Sequence, residues 1–320
     1  MKIENKINTN TPLRTIRILL FILILSACED FVDVDFPVDE LTGAEAFENT
    51  ETINASLAYI HSELREFAFS NGGISGLSYL MGHYTDELEL FSLNLPVVQG
   101  YATNNVLPSD SNVKSIWDTS YTLIHALNSI IEGISSSEAL KANEADRFLG
   151  EVHFLRAYIH FNLLTLFGEV PYIKARDYRL NSQAERMETV VVYQEIIEDL
   201  LLAKNLIPAS YTNPERFRPD HWTVRLFLSR VYLQKQEWEA AASESSLVIA
   251  NSDYTLNTDL GTVFLKDSPE TLWQLDSGIP GRNTREGATF VILNTPPSNS
   301  ALSSYLLDSF EVGDARFVNW

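Results

Sequence analysis

From residue 44 onward the apolar residues of this chain recur three and four positions apart, and that spacing constrains the fold more than any other feature. A helix of 3.6 residues per turn gathers such residues into one stripe, and the stripe must be covered by other helices. Ala44 to Phe69 puts Phe47, Ile53, Leu57, Ile60, Leu64 and Phe67 on one face. Ile116 to Ile134 does the same with Ile116, Leu123, Ile124, Leu127, Ile130, Ile131 and Ile134. After the polar turn 135–137 a helix is predicted from about Glu138 to Phe167, with Leu149, Val152, Leu155, Ile159, Leu163 and Leu166 in phase. Gly168 then serves as its C-cap and Pro171 as its stop. Two long helices joined by so short a turn form an antiparallel hairpin.

A second pair follows. Thr189 to Ile207 carries Val192, Ile196, Ile197, Leu200 and Leu201 and stops at Pro208; after a loop at 209–218, His221 to Lys235 and Glu237 to Ala250 make a tighter hairpin. In that hairpin Leu228, Tyr232, Trp238 and Ala241 are spaced as in a tetratricopeptide repeat, which the segment resembles and in which a large residue wedges between the helices while a small one permits their close crossing. Successive hairpins bury their faces only against each other, so the fold class is all-α, a tetratricopeptide-like hairpin array with long loops and a few short strands. Residues 70–112, rich in Gly, Ser, Asn and Pro, read as loop; 271–275 reads as a short strand, 276–300 as a surface loop and Ser303 to Phe310 as a last short helix.

The charge balance excludes whole classes of partner. With 23 Lys and Arg against 43 Asp and Glu the formal charge is -20, so nucleic acid and anionic lipid surfaces repel the chain. A hydrophobic content of 45% also rules out wholesale disorder.

The lone cysteine, Cys28, follows a basic segment (Lys2, Lys6, Arg14, Arg17) and an apolar run, Ile18 to Leu25. Eight apolar residues cannot span a bilayer that needs about 20, so residues 1–27 are an export signal. Leu25-Ser26-Ala27-Cys28 resembles the lipobox of bacterial lipoproteins, which implies lipidation of Cys28 and membrane attachment through that anchor. An ordinary secretory signal with an incidental cysteine is the alternative. Glu29 and Asp30 directly behind it resemble the surface-export signal of Bacteroidetes lipoproteins; a solvated acidic tether reads equally well.

Several strings, in order, resemble the SusD/RagB family of Bacteroidetes outer-membrane nutrient-binding lipoproteins. They are the lipobox; Trp117-Asp118 with Tyr121, Ile124, Asn128, Ile130 and Ile131; Phe154-Leu155-Arg156-Ala157-Tyr158; Leu166-Phe167-Gly168-Glu169-Val170-Pro171; the hairpin at 221–250; Glu270-Thr271-Leu272-Trp273; and Ser309-Phe310-Glu311 with Asp314-Ala315-Arg316. The resemblance divides the chain into a signal peptide (1–27), an N-terminal helical region (28–215) and a tetratricopeptide-like hairpin leading into a C-terminal domain (216–320). It implies a non-enzymatic, cofactor-free lipoprotein on the cell exterior that captures a glycan or other nutrient for a partner TonB-dependent (SusC-like) transporter. Members of the family usually run well past the point where this chain ends, so part of a ligand surface is expected beyond it.

Sugars stack their C–H faces on flat aromatics and need fixed polar partners for their hydroxyls. Aromatics in predicted loops are therefore the ligand-binding candidates: Tyr79, Tyr84, Tyr101 and Trp273, with Asp86, Glu87, Asn104 and Asn105 as polar neighbours. Packing residues are the plainer reading of each. His153 and His160 lie seven apart on one helix, outside the close spacing that zinc uses, and no metal site is expected. Asp86, Glu87 and Glu89 suggest a glycosidase pair only if a catalytic frame holds them apart correctly. A scaffold lipoprotein that binds other envelope proteins would share the same helices.

Overall fold

The protein is described by a computed structural model over residues 47–92 and 94–319; the signal segment and Cys28 lie outside the described residues. Along the chain run α1 (Thr50–Glu66), α2 (Leu77–Tyr84), β1 (Leu88–Leu90), α3 (Pro96–Ala102), α4 (Ser111–Ser136), α5 (Ala142–Phe167), α6 (Tyr178–Asn181), α7 (Thr189–Leu206), α8 (His221–Gln234) and α9 (Trp238–Ile249). A 3-10 turn at Leu260–Thr262 precedes α10 (Arg285–Phe290), β2 (Ser300–Leu302), α11 (Ser304–Ser309) and α12 (Arg316–Asn319). Among the described residues no helix is long and apolar enough to cross a membrane.

The six long helices fall where the apolar periodicity puts them, and their ends are chemically marked. Asn49 caps α1 by accepting the Thr52 N–H at 2.9 Å, and Asp110 caps α4 through the N–H groups of Asn112 and Val113, each satisfying donors that a helix start leaves open. Gly168 ends α5 at φ 69°, a left-handed turn that favours glycine. Helix α5 is the hub: it packs α4 on one side and α7 on the other, α7 leads to α8 and α8 to α9, while α1 lies on α4 and α5. Phe148, Val152, Leu155, Ala157, Ile159 and Leu163 are fully buried along it.

Four local expectations need correction, one of them that 276–300 is a surface loop, since α10 and the start of β2 lie there. Residues 70–112 are not all loop, since α2, β1 and α3 lie there. Helices of eight and seven residues are too short for a clear period, and Gly82 and Gly100 weaken the helical signal further. Gly82 has a packing reason, because a Cβ there would sit 2.8 Å from Leu88 Cδ1. No strand forms at 271–275; the Gln274 N–H donates to the Arg216 carbonyl at 2.9 Å and the Trp273 indole N–H to Phe217 O at 3.3 Å, single contacts that build no ladder. In the last hairpin Leu228 and Ala241 are buried but Trp238 is exposed, so it does not wedge between α8 and α9.

The hub is fixed by a buried polar network. Arg156, on α5, forks onto Asp199 of α7 with both contacts at 2.7 Å and donates to Asn128 Oδ1 of α4 at 2.7 Å. Asp199 also accepts from the Tyr172 hydroxyl at 2.5 Å and pairs with His153 Nδ1 at 2.8 Å. Burial alone would raise the Asp199 carboxyl, yet Arg156 and His153 hold it well below the usual range. His160 stacks on Tyr172, ring centres 3.8 Å apart, and burial drives its pKa down to about 3. A second buried knot joins Glu151 of α5 to His61 of α1 at 2.9 Å and Arg218 at 2.5 Å; burial works against the Glu151 charge, but Arg218 and His61 prevail and lower its pKa.

Two predictions follow from this chemistry. Removing Asp199 (Asp199→Ala) strands the Arg156 charge in the core and is expected to lower the urea-unfolding free energy by about 3–5 kcal/mol; a loss below about 1 kcal/mol would contradict the network's role. His160 is neutral when folded and binds a proton once unfolded at its ordinary pKa near 6.5, so its contribution is lost as pH falls from there toward its folded value. At about 1.4 kcal/mol per pH unit this amounts to roughly 2–3 kcal/mol by about pH 4.5, and urea midpoints of His160→Gln should fall less steeply than wild type over that range.

Candidate functional site

Residues between 79 and 106 form a second, smaller core. Tyr79, Leu80, Val98 and Tyr101 are buried together, with Leu88, Leu90, Leu95 and Val106 packed against them. The Tyr101 hydroxyl donates to Asp110 Oδ1 at 3.1 Å, which joins this satellite core to the cap of α4. Burial, with the Asp110 carboxylate beside it, holds the Tyr101 phenol well above its ordinary pKa.

The outer wall of the satellite comes from the far end of the described chain. Strand β2 pairs antiparallel with β1, Leu88 opposite Leu302, Glu89 opposite Ala301 and Leu90 opposite Ser300. Just beyond the ladder Ser303 N–H donates to Glu87 O at 2.9 Å and Ser303 Oγ to Asp86 O at 2.5 Å. The same hydroxyl accepts the Leu306 N–H at 3.1 Å and so caps α11. Asp86 itself adopts a left-handed backbone, φ 63°, which turns the chain from α2 into β1.

Between α3, β1 and the start of α11 lies a recess of about 420 Å³, within the size range of small-ligand sites. Asp86, Glu89, Ser92, Gln99, Thr103 and Tyr305 give it its chemistry. Tyr305 is 73% exposed, its ring available for stacking. No Lys, Arg or His is among the lining residues.

The predicted residues separate clearly against this geometry. Tyr79 is 1% exposed and Tyr101 3%; both lie in the buried cluster behind Leu88 and Leu90, which line the recess, and present no ring to solvent. Tyr84 is 46% exposed at the end of α2. Trp273 lies elsewhere, half-buried among Phe154, Tyr158 and His61 with ring centres 5.2–6.0 Å away, where it plugs the junction of α1 and α5. Among the polar neighbours, Asp86 lines the recess, the Glu87 carbonyl holds Ser303, and Asn104 and Asn105 form the turn after α3 next to Thr103, with Asn105 N–H donating to Gly100 O at 2.7 Å. Tyr305 reaches the segment 84–105 only through the β1–β2 pairing across more than 200 residues, and the sequence marks it only as a tyrosine two positions after a serine able to cap a short helix.

The other candidates are accounted for by packing. His153 binds Asp199 and His160 stacks on Tyr172, so the two imidazoles serve different partners; among the described residues no group of three His, Cys, Asp or Glu is placed to hold a metal. A shallower recess of about 480 Å³ along α4 is lined by Trp117, Asp118, Tyr121, Thr122 and His125. There Trp117 packs edge-on to Phe167 at 5.1 Å and the Tyr121 hydroxyl donates to Pro171 O at 2.9 Å, so these rings belong to the α4–α5 contact.

Comparison with known proteins places this architecture. A SusD-like family model described as starch-binding and associating with the outer membrane matches residues 71–233, about half of the chain. "SusD-like protein P2" of Formosa agariphila is 26% identical over 261 residues, covering 78% of this chain and 49% of its own length. "SusD-like protein P25" of the same organism is 21% identical over 267 residues, again 78% of this chain and 49% of the relative. The chain thus spans about half the length of the curated relatives it matches. Among solved structures, a SusD superfamily protein from Bacteroides thetaiotaomicron superposes with a TM-score of 0.66 at 23% identity, covering 81% of this chain and 61% of that one. A laminarin-binding SusD-like protein superposes with a TM-score of 0.69 at 21% identity, covering 85% and 66%. At such identities the structures show a shared fold.

Proposed function

The chain belongs to the SusD-like family, and from that premise we propose that it is a glycan-binding, non-catalytic lipoprotein of the outer membrane whose recess between α3, β1 and α11 holds a neutral oligosaccharide. The composition of the recess carries the reading. Tyr305 offers a ring face for sugar C–H groups, while Gln99, Thr103 and Ser92 offer hydroxyl and amide partners. Asp86 and Glu89 can accept from sugar hydroxyls, and with no cation among the lining residues they would repel a sulfated or uronate chain. Starch in the family's description and laminarin in the name of a structural neighbour, both neutral glucans, support the same class.

The lipid on Cys28 would hold the protein at the outer membrane, facing the exterior, and a SusC-like TonB-dependent transporter would receive the glycan. Two experiments test this. Calorimetric titration with maltoheptaose and laminarihexaose should show binding of at least one, weakened roughly tenfold by Tyr305→Ala; equal affinity for polygalacturonate would refute the neutral selectivity. In native membranes Cys28→Ser should release the protein from the outer-membrane fraction, and wild type should co-purify with a transporter barrel. Recovery with envelope assembly proteins in place of a barrel would instead support a scaffold.

A further inference from the structure

One hydroxyl joins the buried cluster behind the recess to β2. Ser300 Oγ lies 2.5 Å from the Tyr79 hydroxyl and 2.8 Å from His83 Nε2. Tyr79 and His83 sit one turn apart on α2, each 1% exposed, with their rings edge to face at 4.8 Å. Phe290 of α10 tilts against Tyr79 at 6.0 Å, and the His83 imidazole also meets the backbone of Leu88 at the start of β1. Around this point the backbone ladder is the three-residue pairing of β1 with β2, flanked by the Phe91 and Ser92 N–H groups donating to Asn299 O at 2.8 and 3.2 Å and by Ser303 N–H on Glu87 O. A two-stranded ribbon of that length is marginal by itself, and a slip of one residue would reverse every side chain on it. A serine hydroxyl can donate to one neighbour and accept from the other, so both buried groups are served by one atom.

We propose that Ser300 is the positioning residue of the recess: its hydroxyl, shared by Tyr79 and His83, locks the register of β2 on β1 and thereby sets where Ser303, Ser304 and Tyr305 stand over the ligand. This rests on the reading of the recess as the glycan site. The locked distance is short. Only Ala301 and Leu302 separate Ser300 from Ser303, whose two bonds to the 86–87 backbone and cap on α11 carry the register to Tyr305. If the Ser300 anchor is lost, two buried polar groups lose their shared partner, a loss that favours opening of the ribbon.

The test uses the full chain and separates the device from the ligand. Hydrogen exchange by mass spectrometry is followed in peptides spanning 86–92 and 299–306, with peptides from α4, α5 and α7 as internal reference. Ser300→Ala should exchange on the order of tenfold faster in the two ribbon segments and as wild type in the reference helices. Ser300→Thr, which keeps the hydroxyl on a β-branched side chain suited to a strand, should restore wild-type exchange. Titrations with maltoheptaose and laminarihexaose should show the same loss with alanine and recovery with threonine for whichever probe wild type binds. Unchanged exchange in the alanine variant overturns the proposal. So does failure of threonine to restore it, or a loosened ribbon with undiminished probe affinity. If wild type binds neither probe while exchange behaves as expected, the positioning role stands and the glycan reading falls. Should Ser300→Ala not fold, Tyr79→Phe removes one partner while keeping the ring, and must loosen the same two segments.

Discussion

The fork between Arg156 and Asp199 is the contact on which the rest of the structure depends. A buried guanidinium tolerates its position only where a carboxylate and further acceptors meet its donors, and removing any one of them leaves charge in an apolar interior. Here the donors reach α7 through Asp199 and α4 through Asn128, while the Tyr172 hydroxyl completes the carboxylate's partners. Three elements are thereby fixed against α5 in one relative placement. Aliphatic packing would allow them to slide by part of a turn; the fork does not.

That network also explains why short strings of sequence identify so large a fold. Trp117 meets Phe167, Tyr121 reaches Pro171 O, Asn128 and Arg156 bond each other, and Asn128 donates to Ile173 O at 3.0 Å. The residues that carry the family resemblance are therefore contact partners across the α4–α5 hairpin and the segment that follows Gly168. Tyr158, from the same string as Arg156, sits against Trp273 and Phe227, and burial pushes its phenol up to about 12. The family pattern is at root a packing pattern, which is why it locates the hub and leaves the recess unmarked.

The helices were legible because amphipathic periodicity and end-capping are local; Thr189, His221 and Gly168 mark ends that the structure keeps. The satellite core was not. Its helices run about two turns each, and its burial of Tyr79 and Tyr101 depends on Leu88, Leu95 and Val106 closing over them. An aromatic in a Gly- and Asn-rich segment looks available in sequence, while in space it is buried. Tyr305 is the converse case, a residue whose place is decided by strand pairing from the other end of the described chain and by nothing in its own neighbourhood.

The sharing of Asp110 has a consequence for how the protein moves. One carboxylate caps α4 and also receives the Tyr101 phenol, so a small side-chain joint ties the satellite to the array. A cluster of four buried residues with a thin cover of partly buried ones buries far less apolar surface than the main core, and such regions lie toward the low end of local opening free energies. A ligand held in the recess would raise the free energy of opening this corner and, because only the folded protein binds it, that of global unfolding as well. The array is thus the frame, and the satellite a small unit joined to it through the Asp110 carboxylate.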